Sequence, residues 1–348
     1  MELYSQILLI FPVLLVLITL AAYGSYAERR VAAAFQQRVG PNRVGPFGLL
    51  QPLADVLKLM IKEDVTPANA DKLLHFLSPI ISVATAMIMF GVIPLAKFGD
   101  SFLVISDVNI GILYLLGVTS VSVYGITLAG WASNGKYSLL GGLRASAQMI
   151  SYELPLGLAV VSVIILTNAR MPMGSDFLSV TSIVEAQRGA WNLFINPLGF
   201  IIFYICVLAE SARTPFDLVE AEQELVGGFH TEYSSLKFGM FMVVEFLHLV
   251  IPPAIITTVF LGGYLGPFEG ALGVAQWGNT AQILWGLGWF LTKTFTIAFT
   301  FMWIRWTLPR FKYNQLMDLG WKRLLPLALI NLVVVAIGAA IYVFQTAG

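Results

Sequence analysis

Eight apolar runs divide the chain, at approximately 6–27, 73–96, 108–131, 146–167, 193–212, 237–265, 280–306 and 322–344. An α-helix rises about 1.5 Å per residue, so about 20 apolar residues cross the roughly 30 Å of hydrocarbon in a bilayer. Backbone polar groups in lipid must be satisfied within the segment itself, and runs of this length therefore predict helices. The pattern between the runs is uneven. Polar positions gather in four connections, 28–72, 132–146, 210–236 and 306–322, while stretches such as "NARMPMGSDFLS" and "GGYLGPFEGALG" read as plain loops. The fold class this predicts is an all-α polytopic membrane protein: a single integral membrane domain over 1–348 with about eight transmembrane helices.

Two of the polar connections carry further pattern. The first opens with "ERRVAAAFQQRVGPNRVGPFG", whose Gly-Pro pairs set turns, and continues as "LLQPLADVLKLMIKED". In the latter, Leu49, Leu50, Leu53, Leu57, Met60 and Ile61 fall on one broad helical face, with Asp55, Lys58 and Lys62 on another. At about 14 residues this segment, approximately 49–62, is too short to span. It reads as an amphipathic interfacial helix, or as a surface helix packed on the bundle. The other connection, "ESARTPFDLVEAEQELVGG", holds Glu210, Asp217, Glu220, Glu222 and Glu224. Helical geometry would align Asp217, Glu220 and Glu224, and like charges on one face cost a few tenths of a kcal/mol per pair. Basic partners, protonation or water must offset that, with Arg213 a nearby candidate.

Charge adds orientation. The four polar connections and their flanks hold sixteen of the twenty Lys and Arg residues: seven in 28–72, two in 134–153, two in 210–237 and five in 305–323. The opposite face holds Lys97, Arg170 and Arg188, and Lys293 lies inside a run. The positive-inside rule places the four connections in the cytoplasm or its equivalent, with both termini facing away. The first run follows "MELYSQ", which has no basic residue, and precedes Arg29 and Arg30; it reads as a retained helix rather than a cleaved signal. The composition is 57% hydrophobic and 11% charged with zero net charge, which gives no reason to expect nucleic acid as a partner. The single cysteine, Cys206, lies within a run and cannot support a disulfide framework or an iron–sulfur cluster by itself. Without a Gly-rich dinucleotide fingerprint or a Walker A motif, any electron carrier must sit on another subunit.

Four ionisable groups interrupt the apolar runs: Glu153, Glu210, Glu245 (with His248 one turn on) and Lys293. Each costs about 2.5–3.5 kcal/mol to insert on translocon scales. One alone reads equally well as a structural hydrogen-bonding group. Several in one bundle favour an ion or proton path. A free-standing carrier is the competing class, but 1–170 and 171–348 show no internal duplication, and the polar richness is at one face rather than the midplane.

The strings "ERRVAAAFQQRVGPNRVGPFGLLQPLADVLKLMIKED" and "RTPFDLVEAEQELVGGFHTEYSSLKFGMFMVVEF" resemble the two signature stretches of the H subunit of NADH:quinone oxidoreductase, the family of subunit 1 of mitochondrial complex I. "GWASNGKYSLLGGLRASAQMISYE" and "WIRWTLPRFKYNQLMDLGWK" are similar to that family's two other cytoplasmic-side loops. The resemblance implies a membrane-arm subunit that forms the lipid-facing part of a quinone chamber and couples quinone reduction to proton translocation. The quinone, with ubiquinone the expected species, is then the substrate, and this chain binds no FMN, NAD or iron–sulfur cluster. Implied partners are peripheral-arm subunits, including the one holding the terminal iron–sulfur cluster and its neighbour at the quinone site, together with antiporter-like membrane subunits. The implied location is the bacterial cytoplasmic membrane or the mitochondrial inner membrane. Carried over by position, Glu28, Arg29, Ala54, Asp55, Lys58 and Arg213 border the quinone passage, and Phe238, Phe241 and Met242 flank the route of its tail. Glu153, Glu210, Asp217, Glu220, Glu222, Glu224, Glu245 and Lys293 would form the coupling path, while Tyr137, Arg144, Arg305 and Arg310 match further polar positions. Relatives often have tyrosine directly after the glutamate of the sixth run; here it is Phe246, so its hydroxyl is missing and His248 or water would have to replace it.

Overall fold

In the computed structural model, which describes residues 2–171, 176–219, 222–267, 269 and 273–347, the apolar runs fold into helices. Among the described residues, seven helical segments are long and apolar enough to cross a membrane: Ile10–Phe35, Lys72–Phe90, Gly111–Ala132, Lys136–Arg170, Ser235–Phe260, Asn279–Thr307 and Tyr313–Gln345. The elements that matter for the site are α1 (Glu2–Phe35), α2 (Gln51–Ile61), α3 (Lys72–Phe90), α4 (Gly111–Ala132) and α5 (Lys136–Arg170). A two-stranded antiparallel hairpin, Ala96–Phe98 with Ser101–Leu103, joins α3 to α4. After α5 come α6 (Val180–Glu185), α7 (Asn192–Ile195), α8 (Pro197–Glu210) and α9 (Glu222–Leu225). The chain continues through α10 (Ser235–Leu247), α11 (Ile251–Phe260), α12 (Asn279–Thr307), α13 (Tyr313–Asp318) and α14 (Leu325–Ala347).

Two apolar runs are broken, each at proline. The run at 193–212 becomes α7 and the 14-residue α8, shorter than a full span. Pro197 has no N–H to continue α7, and the Asn196 Oδ1 accepts the Gly199 N–H at 2.9 Å to start α8. The run at 237–265 is divided between α10 and α11 by His248, Leu249 and Val250. Pro252 and Pro253 supply no backbone donors there, so the preceding ladder ends and a new one begins. In contrast, α5 starts ten residues before the fourth apolar run, since 136–145 continues the helix beyond the hydrophobic stretch.

Close packing depends on small residues, as expected where lipid offers no hydrophobic drive between helices. A Cβ at Gly125 of α4 would lie 2.1 Å from the Ser82 Oγ of α3, so only glycine admits that approach. The buried core includes Tyr152, Phe203, Phe260, Phe290 and Phe301, all under 3% exposed.

Hydrogen bonds sort the loops into two sets. At one end, the Asp71 N–H donates to the Ala132 carbonyl at 3.0 Å, the Phe311 N–H to Pro215 at 3.0 Å, and Ser138 Oγ to Phe229 at 2.8 Å. These ties gather the described residues of 36–71, 132–137, 211–234 and 308–318 into one polar face. At the other end, Lys97 of the hairpin pairs with Glu185 at 3.2 Å, and Gly99 N–H donates to Gln282 at 2.9 Å.

Candidate functional site

Four ionisable side chains meet beneath the polar face. Glu28 comes from α1, Arg213 from the loop after α8, Glu245 from α10 and Arg305 from the last turn of α12. Arg213 donates to Glu28 at 3.0 Å and, through its other terminal nitrogen, to the Glu245 backbone carbonyl at 2.9 Å. Arg305 reaches Glu28 at 2.6 Å and Glu245 at 2.8 Å. Arg213 is also 3.7 Å from the Glu245 carboxylate. The Arg213 side chain is 1% exposed and that of Glu28 6%. Charges so buried persist only when paired and hydrogen-bonded, and two carboxylates with two guanidiniums leave the group neutral.

Local geometry places Arg213 there. Gln148 of α5 donates its amide to the carbonyls of both Ala209 and Phe216 at 2.8 Å, clamping the loop on either side. Thr214 Oγ1 ties the same loop to the Arg305 carbonyl at 3.1 Å.

Above the cluster, Arg29 pairs with Asp55 of α2 at 2.8 Å, both partly exposed. Gln51 donates to Asp55 at 3.1 Å. Ala54 is half-buried, and Lys58 is exposed. The turn before α2 is pinned to α1: the Phe47 carbonyl accepts from Tyr26 Oη at 2.6 Å and from Arg30 at 2.7 Å. Gly48 in that turn has φ +80°, and a Cβ there would stand 2.3 Å from the Pro41 carbonyl oxygen. The apolar face of α2 remains open, with Leu53, Leu57, Met60 and Ile61 exposed.

Asp217 and Glu224 do not share the helical face expected of them with Glu220. Asp217 lies in irregular backbone and pairs with Arg310, whereas Glu224 sits on the four-residue α9 and pairs with Arg144 at 2.6 Å. Separate cations on separate elements remove the like-charge penalty that one helical face would carry. Nor does Arg213 serve these carboxylates, since it is committed to Glu28 and Glu245. Glu220 and the Glu222 side chain lie outside the described residues. Burial holds the Asp217 carboxyl above the usual carboxylate range, against the pull of Arg310 and Arg305.

One cavity is lined by Glu245 of the cluster, and a second shares Ser211 and His248 with the first. The first, of about 50 Å³, is lined by Ser82, Ser122, Met149, Ser211, Phe241, Met242, Glu245 and His248 among others. The second, of about 40 Å³, has apolar walls from α3, α4, α5, α8 and α11, with Glu210, Thr119, Ser211 and His248 as its polar groups. Phe241 is packed edge-on against Phe229 and Tyr233, with ring centroids 5.1 and 5.0 Å apart, and Phe238 stacks on His230 at 5.3 Å. Phe241 and Met242 therefore line a cavity, while Phe238 covers a histidine. Glu153 lies within electrostatic reach of Glu210, and one of its carboxylate oxygens is buried with no hydrogen-bond partner.

Lys293 is not brought to this cluster. Its ammonium donates to the carbonyls of Leu261 at 2.6 Å, Gly263 at 3.0 Å and Leu265, and stands 4.4 Å from the Trp191 ring centroid. It lies twelve positions before Arg305 on α12, roughly 18 Å of helix away. Three carbonyls and an aromatic face satisfy an ammonium fully, which gives Lys293 the geometry of an anchor for the turn after α11.

Sequence reasoning did not single out Gln148, Ser211, His230, Tyr233 or His75. Tyr233 hydrogen-bonds Ser78 at 3.0 Å and stacks on His75 at 4.0 Å. A buried glutamine inside an apolar run was the available signal for Gln148. The others depend on contacts between elements far apart in sequence.

Fold and cluster together define a polytopic helical membrane protein with a neutral four-charge site buried under one polar face and a cavity lined by its Glu245. A profile of the NADH dehydrogenase family matches residues 7–336. NADH-quinone oxidoreductase subunit 8 of Rhodothermus marinus is 50% identical over 350 residues, spanning 98% of this chain and 99% of the relative. The corresponding chain of Salinibacter ruber, designated H in the same enzyme, is 49% identical, with 91% of each covered. That of Cytophaga hutchinsonii, designated H 1, is 45% identical, with 98% of each covered. The chain belongs to the NADH dehydrogenase family.

Proposed function

We propose that this chain is a membrane subunit of an NADH:quinone oxidoreductase, that its polar face forms the membrane side of a quinone chamber, and that its buried charges couple quinone reduction to proton translocation. The observation that carries this reading is the Glu28–Arg213–Glu245–Arg305 cluster, set between the Arg29–Asp55 pair at the surface and the Glu245 cavity within. A quinone site needs apolar walls for the tail and a few placed polar groups for the head. Here α2 offers exposed leucines beside Asp55, and Phe241 and Met242 offer apolar surface next to Glu245. A change of charge at the head-group end acts on a cluster in which Arg305 serves two carboxylates at once, so its pairing responds to that change.

The polar face also docks the peripheral subunits that hold the electron carriers, and positive-inside topology turns it to the cytoplasm. Photolabelling of the purified assembly with a photoreactive ubiquinone analogue tests the chamber. Label is expected in 28–62 and 211–245; label confined to other segments overturns the assignment. Co-purification of hydrogenase subunits in place of NADH-oxidising ones would overturn the enzyme assignment itself.

A further inference from the structure

We propose that His248 is the proton-passing link between the Glu245 cavity and the Glu210 cavity. The two cavities have separate walls, yet both are lined by His248 and Ser211. The Ser211 hydroxyl is directed to its own helix, donating to the Leu208 carbonyl at 2.8 Å. His248 is thus the titratable side chain common to both. Its position follows from the helix break: α10 ends at Leu247, α11 begins at Ile251, and His248 opens the irregular connection between them. Phe246 lines neither cavity, so a hydroxyl at that residue is not what this junction requires.

The charged groups that face His248 come from three elements. Glu245 and Arg213 lie within electrostatic reach on the cluster side, and Glu210 of α8 shares the second cavity with it. The cavities, of about 40 and 50 Å³, are each large enough to admit a water, for which Glu210 and Thr119 are polar partners in one and Glu245, Ser82 and Ser122 in the other. Imidazole suits such a position because its two nitrogens exchange donor and acceptor roles. One nitrogen accepts a proton from the Glu245 side while the other releases its own toward Glu210. The ring is neutral before and after, and reorientation restores the starting tautomer.

This inference rests on the coupling reading above, and the test separates the two. The intact assembly, reconstituted in proteoliposomes, is assayed for protons moved per electron in four variants: Glu245→Gln, Glu210→Gln, His248→Gln and His248→Ala. Electron transfer from NADH to a water-soluble acceptor checks assembly. The expected result is a loss of pumping of roughly tenfold or more in all four, less than the ~10²–10⁴ of a group acting at a reacting bond. Added imidazole should restore pumping in His248→Ala but not in Glu210→Gln. Full pumping in both glutamate variants overturns the coupling reading. Loss in those two with parental pumping in His248→Gln overturns the role of His248 alone, as does an assembled His248→Ala enzyme that imidazole fails to rescue.

Discussion

Replacing Arg213 by methionine isolates the electrostatics of the cluster from its packing. The substitution removes the 3.0 Å bond to Glu28 and the 2.9 Å bond to the Glu245 carbonyl, at a residue 1% exposed. Two carboxylates then share Arg305, which is 27% exposed and already bonded to both. Removing one partner of a buried pair costs about 3–5 kcal/mol, and the surviving Arg305 contacts place this case near the lower figure, about 3 kcal/mol. Adding Glu28→Gln to Arg213→Met leaves Arg305 with Glu245, a neutral pair, and an amide that still accepts from Arg305. The double variant should therefore recover about 2 kcal/mol relative to Arg213→Met, within the ~0.5–3 kcal/mol of coupling found for contacting residues. Pulse proteolysis of the purified assembly within 211–234 reads this as the population of the locally opened state. A difference of about 2 kcal/mol is roughly 30-fold in that population. If the double variant opens as readily as Arg213→Met or more so, charge imbalance is not what the substitution imposes, and the electrostatic account fails.

Asp55→Asn should leave assembly intact, because the partly exposed Arg29–Asp55 pair contributes at most about 1 kcal/mol, yet it should raise the apparent KM for quinone; unchanged quinone kinetics remove Asp55 from the passage. His230 is held down to about 4 by burial, with Glu245 opposing, so the unfolded chain binds the extra proton first as pH falls from 6.5 toward 4. Proteolytic protection of 228–234 should accordingly fall over that interval in the parent and stay flatter in His230→Gln, and equal slopes refute the assignment. Lys293→Met strips the shared donor from three carbonyls and should expose the turn at 261–266 to protease from the face opposite the cluster, by about 3–5 kcal/mol of local stability. Whatever assembles should keep its proton-to-electron ratio; a selective loss of pumping with the turn still protected would return Lys293 to the coupling path.

The helical membrane architecture was legible because apolar run length answers directly to bilayer thickness, a single physical variable. Breaks within runs were less legible. Hydropathy averages over Ile251-Pro252-Pro253 and over Asn196-Pro197, all compatible with an apolar window, while the hydrogen-bond ladder responds to each missing N–H. Counting proline donors as well as hydropathy would have located the α10–α11 break, and with it the irregular backbone that carries His248.

The site was legible in its parts and not in its pairing. Glu245 stands out as a charge within an apolar run, and Glu28 and Arg213 follow from the resemblance, but Glu28 and Arg305 are separated by 277 positions, and no local pattern announces their 2.6 Å contact. Helical spacing misled at Asp217 and Glu224, which pair with cations on separate elements, Arg310 and Arg144. The difference is physical. Burying an unpaired carboxylate costs more than the few tenths of a kcal/mol that helical register offers, so the buried Asp217 is placed where Arg310 can pair with it, while the exposed Glu224 carries no such cost. The same reasoning limits what the neutral cluster does for stability, since well-packed apolar residues could fill that volume at comparable free energy. Its four charges lie between a surface ion pair and a cavity lined by Glu245 and His248, and that placement, more than any gain in stability, is what an apolar core could not reproduce.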